Sequence, residues 1–218
     1  MTMHRRHRTF LTATAILLGL LLCKTSWELL VRLQYELLGA LNIDSFIYLT
    51  VGNGIRNGLI PYLDLFETKP PGVYLLVALS QSLSGSLAFV HFLQVLALLV
   101  PPVVFGCVAA AWTAEKKSIE RTVLVMTSTL IGVVLSLYTA DHAGAFQIES
   151  FGSALVILAL VPVFFEKMEL PWRLSITTLC LAGALGMKEP FLLSSAAAAL
   201  VLSSTPRLFV RNFLTPLA

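Results

Sequence analysis

Charge is what this chain has least of. Asp, Glu, Lys and Arg make up 12% of its 218 residues, against about 25% in soluble domains. Apolar residues reach 57%, and mean hydropathy is +0.84. An ordinary soluble domain is thereby excluded, and an integral membrane protein is the default reading. The net charge of +3 gives no sign of a nucleic-acid partner. Cysteine is sparse too: Cys23, Cys107 and Cys180 lie in or beside apolar runs without paired spacing, which reads as membrane packing rather than a disulfide or metal framework. There is no obvious repeat and no low-complexity linker. The basic start MTMHRRHR leads into an apolar run but no A-x-A cleavage site follows, so residues 9–28 read as an uncleaved first span with Lys24 snorkelling to the interface.

A helix needs about 20 apolar residues to cross the hydrocarbon core. Candidate runs are 9–28, 88–112, 122–140, 150–165, 174–187 and 190–205, the last three short by this measure. The run 71–83 is shorter still and ends in Ser-Gln-Ser-Leu-Ser-Gly. If it does not cross, the segments 1–8, 113–121, 166–173 and 206–218 lie inside and hold ten Lys and Arg residues against five outside. If it does cross, that bias weakens. The positive-inside rule therefore predicts a helix over 71–86 lying in or dipping into the outer interface. The expected fold is all-α, with about six transmembrane helices plus interfacial helices in the first outer loop, residues 29–87. Two further polar segments, 139–149 and 187–190, fall on the same outer side. Residues 1–205 form the transmembrane part and 206–218 a cytoplasmic-side tail. The setting this implies is a bacterial inner membrane with the N-terminus cytoplasmic.

The polar stretch 42–74 interrupts the oily sequence. Asp44 opens a helical pattern that Gly58 closes, which assigns them N-cap and C-terminal cap. An N-cap also sits where helix amides meet a ligand-accessible surface. Asn57-Gly58 and Pro61-Tyr62-Leu63-Asp64 turn the chain back. Asp64 and Glu67 read equally as solvated loop acids or as site residues. Arg56 and Lys69 are cations suited to a phosphate or pyrophosphate, and Asp44 to a general base. Lys69-Pro70-Pro71 also has an ordinary reading, a border lysine before a helix start. Tyr48, Tyr62 and Tyr74 fit an aromatic belt or the lining of a sugar or polyprenyl site. In the second outer segment Glu149 stands at the head of a span, where an acid is costly unless paired or facing a polar cavity. Asp141-His142 is weak evidence for a metal. Lys188 approaches the same site or pairs with Glu189.

The pattern Asp44-Ser45-x-x-Tyr48, Gly58-x-x-Pro61-Tyr62-x-Asp64 and Phe66-Glu67-Thr68-Lys69-Pro70-Pro71-x-x-Tyr74 resembles the first outer loop of GT-C glycosyltransferases. It is similar to the branch containing protein O-mannosyltransferases and the lipid A aminoarabinose transferase. Weaker similarity continues through Gln147-Ile148-Glu149-Ser150-Phe151 and Met187-Lys188. The resemblance implies a polytopic helical fold and inverting sugar transfer from a polyprenyl-phosphate carrier to a lipid, glycan or protein acceptor. It puts Asp44 in the place of the catalytic acid and Lys69 in that of a lysine on the carrier phosphate. Where the family often has Asp-Glu, this chain has Asp44-Ser45, with Glu67 or Glu149 as substitutes for the second acid. Family members are much longer, so the chain corresponds to an N-terminal portion. No cofactor is called for, and the question of a divalent metal stays open. The competing readings are an inactive relative or scaffold, and a transporter or flippase of lipid-linked sugars.

Overall fold

The structure is a computed structural model that describes residues 3–38, 41, 43–65, 69–116, 118–140, 146–164, 168–188 and 190–202. Among these residues there are eight α-helices and no strand: α1 (Met3–Leu38), α2 (Ile43–Arg56), α3 (Gly72–Ser84), α4 (Ala88–Trp112), α5 (Ser118–Thr139), α6 (Ile148–Leu160), α7 (Leu170–Met187) and α8 (Phe191–Leu202). A 3-10 turn, Val161–Phe164, continues α6. The all-helical expectation holds. Among the described residues three helices, α1, α4 and α5, are long and apolar enough to cross a membrane. α6, with 13 residues, spans about 20 Å at 1.5 Å per residue, less than the roughly 30 Å core.

α1 runs ten residues beyond the expected end of the first span. Lys24, Glu28, Arg32 and Glu36 recur every fourth residue, so each base lies against an acid on one face of the helix. Lys24 pairs with Glu28 at 3.6 Å and Arg32 with Glu36 at 2.6 Å. This charged ladder continues a helix in which the apolar run alone suggests a stop.

α4 carries Pro101 and Pro102 in its interior. Pro102 has no N–H to offer the Leu98 carbonyl one turn earlier, a serious loss where no water can substitute. The buried Ser136 hydroxyl of α5 donates to that carbonyl at 2.7 Å. Gly132, one turn away, lets α5 approach so closely that a Cβ there would lie 2.6 Å from the Pro101 carbonyl oxygen. The prolines thus fix the α4–α5 crossing.

The helix directions follow from the contacts at each end. Residues 7, 8 and 11 of α1 meet the first turns of α5, with Ala110 of α4 alongside. Residues 28–35 of α1 meet Leu137 and Ala140 at the opposite end. α1 and α5 are therefore parallel and α4 antiparallel. α3, 13 residues long, returns in the space before α4. A left-handed Gly85 (φ 65°) ends it, and its N–H bonds to the Gln81 carbonyl. The Ser80 hydroxyl donates to the Ser86 carbonyl and accepts the Val90 N–H, tying α3 to the start of α4.

Candidate functional site

The three segments assigned to one face of the membrane do meet at one end of the bundle, the end opposite the α5 N-terminus. Ser150 donates to the Thr139 carbonyl at 3.1 Å, which ties the head of α6 to the end of α5. Gly72 at the head of α3 lies on Gly186 near the end of α7, where a Cβ would fall 2.3 Å from the Gly186 carbonyl oxygen. That backbone contact holds Lys69, three residues before Gly72, beside the Lys188 region.

Two acid–base pairs result. Lys69 Nζ lies 3.4 Å from Asp44 Oδ1 and donates to the Tyr48 hydroxyl at 3.1 Å. It also stands 4.8 Å from the Tyr48 ring centroid, a cation–π distance. Lys188 donates to Glu149 Oε1. Tyr48 links the pairs, since Asp44 and Glu149 both act on it electrostatically. Burial pushes the Tyr48 phenol above its ordinary range, with Lys69 working in the opposite direction. Burial pulls the Lys69 ammonium down, but Tyr48 and Asp44 outweigh it and its pKa ends raised. Lys69 is therefore firmly charged at neutral pH. Asp44 is about half exposed (56%), and Glu149 and Lys188 are each about a third exposed. The acids can thus be reached from the end of the bundle.

The remaining expected site residues part company. Asp44 lies in the first turn of α2, whose helix begins at Ile43, so it is not the cap itself. Gly58 does end the helix in the left-handed region, at φ 88°. Arg56 is in the last turn of α2, and twelve residues of helix put it about 18 Å from Asp44. The structure does not bring it to the Lys69 pair. Asp64 accepts the Ile60 N–H at 2.8 Å and closes its own turn. Tyr62, left-handed at φ 68°, donates to the Lys69 carbonyl at 2.7 Å and so fixes the lysine's backbone. Tyr48 and Tyr74 are buried with rings 6.0 Å apart, so they are core residues rather than members of an aromatic belt. Glu67, Asp141, His142 and Glu189 lie outside the described residues. Among those that are described, no group of three or more His, Cys, Asp or Glu side chains gathers as a metal site.

Sequence reasoning missed a residue beneath the site. Glu36 is fully buried, paired to Arg32, and accepts the Phe146 N–H at 2.7 Å. Phe146 is itself left-handed (φ 68°). Its carbonyl accepts the Ser45 hydroxyl at 3.3 Å, and its ring meets Tyr48 and Phe151 edge-on. One residue thus joins α1, α2 and the head of α6. Ser45 stands beside Asp44 because a small buried donor is needed there. The i, i+4 spacing of Arg32 and Glu36 is the signal that could have found this pair. No family model matches the sequence, and no curated protein or solved structure matches it either.

Proposed function

We propose that the protein is a membrane glycosyltransferase, or the N-terminal part of one. It would move a sugar from a polyprenyl-phosphate carrier to an acceptor on the outer face of a bacterial inner membrane. The observation that carries this reading is the convergence of Asp44–Lys69 and Glu149–Lys188 around Tyr48 at one end of the bundle. Here α6 with its 3-10 turn, α7 and α8 complete a count of six crossings.

The acceptor oxygen attacks the anomeric carbon from the face opposite the phosphate, and Asp44 takes its proton. The bond from that carbon to the phosphate oxygen breaks, and the electron pair leaves with the carrier phosphate. Lys69 meets that charge. In the resting site Lys69 is engaged by Asp44; a phosphate that draws Lys69 to itself leaves the carboxylate available to the acceptor. Lys188 and Glu149 orient the sugar and its phosphate from the other side, and membrane lipids supply the surroundings. Among the described residues the charged side chains gather toward the two ends of the bundle, which favours a surface reaction over a transport path.

The test is transfer of a labelled sugar from polyprenyl phosphate by the reconstituted full chain. Asp44→Asn should lower kcat by roughly 10²- to 10⁴-fold, the usual weight of general-base catalysis. Lys69→Met should lower kcat/KM by about 10²-fold or more. Transfer at the parental rate by Asp44→Asn removes Asp44 as the base. Carrier translocation without transfer by the parent chain replaces the reading with a flippase.

A further inference from the structure

The two ends of the bundle treat their cations differently. On the side of the site, Lys24, Arg32, Lys69 and Lys188 each face a carboxylate within ion-pair distance, and of the five cations there only Arg56 has no ion pair among the described residues. At the other end, among the described residues, Arg8, Lys116 and Arg121 have no ion pair. These three, with His7, line two adjoining cavities of about 450 and 490 Å3 that share Ser118 and Thr122. The first lies between α1 and α5 and the second between α4 and α5, both beside the N-terminus of α5, whose first amides have no intrahelical partner. Leu11 and Ile119 wall one of them and Ala110, Val125 and Met126 the other. Two acids are also present: Glu120 lines the first cavity, and Glu115 is exposed nearby.

We propose that these cavities form a binding site for the phosphodiester headgroup of an anionic phospholipid. The guanidiniums of Arg8 and Arg121 clamp the phosphate from two helices, as planar forks suit its oxygens. The Ser118 hydroxyl and the α5 amides complete the contact, and an acyl chain follows the apolar wall. A free phosphate has no use for Leu11, Val125 and Met126, which is why the lipid is the favoured occupant. Basic pockets between membrane helices on the cytoplasmic side are a recognised setting for such headgroups. This site does not depend on the proposed transfer reaction.

The experiment is native mass spectrometry of the detergent-solubilised full chain with phosphatidylglycerol or phosphatidylcholine, run beside thermal unfolding. Phosphatidylglycerol should be retained preferentially and raise Tm, with binding that weakens as salt rises. The double variant Arg8→Gln/Arg121→Gln should weaken it roughly 30-fold, about fivefold for each base lost near an anionic headgroup. Lys24→Gln, at the opposite end, should leave it unchanged. Glu120→Gln should tighten binding, a change that a damaged fold would not produce. Equal retention of the two lipids, undiminished binding by the double variant, or equal stabilisation by inorganic phosphate would each overturn the proposal.

Discussion

Removing the buried Glu36 carboxylate takes the partner from the largely buried Arg32 guanidinium and orphans the Phe146 amide. Breaking a buried ion pair from one side costs about 3–5 kcal/mol. Glu36→Ala should therefore unfold the chain in detergent at markedly lower denaturant. Arg32→Met/Glu36→Met should recover much of that loss, because two apolar side chains leave no unpaired charge; chemical denaturation of the three variants checks the order. The same residue marks the limit of what sequence could say. Lys69 and Asp44, and Lys188 and Glu149, were legible as reactants because acids and bases are rare in such a chain and costly near a membrane. Which acid met which base was not, since 25 residues separate the first pair and 39 the second. Asp64 was illegible for the opposite reason: its partner is the Ile60 amide in its own turn, and backbone donors leave no mark in a side-chain pattern.

At the scale of elements, glycine contacts decide where the site residues stand. Gly72→Ala forces a Cβ onto the Gly186 carbonyl and should push α3 away from α7. The expected cost is about 1–3 kcal/mol, as for other overpacked contacts. Thermal unfolding measures it, with Gly58→Ala as the comparison: nothing lies within 4 Å there, so only left-handed backbone strain is added. α4 matched its apolar run residue for residue, 88–112, because a continuous oily stretch has no competing reading. α1 did not, since hydropathy falls along 29–38 while the i, i+4 charge ladder keeps the helix going. Apolar runs foretold helices at α6 and α8 as well, but among the described residues only α1, α4 and α5 are by themselves long and apolar enough to cross.

For the whole molecule, the proposed orientation puts Leu63 outside and Lys116 inside. In a chain whose three cysteines are replaced, Leu63→Cys should react with a membrane-impermeant maleimide in intact cells. Lys116→Cys should react only after the membrane is opened, and the reverse pattern would invert the topology. The unequal pairing of cations has an electrical consequence as well. Asp44 cancels Lys69 and Glu149 cancels Lys188, so a transmembrane voltage exerts no net pull on these two pairs. A potential acts on net charge at about 2.3 kcal/mol per elementary charge per 100 mV. It therefore acts on the other end, where bases outnumber acids, and a negative interior holds that end in place. An anionic ligand that enters beside these pairs brings a net charge that they do not carry, and the field acts on it.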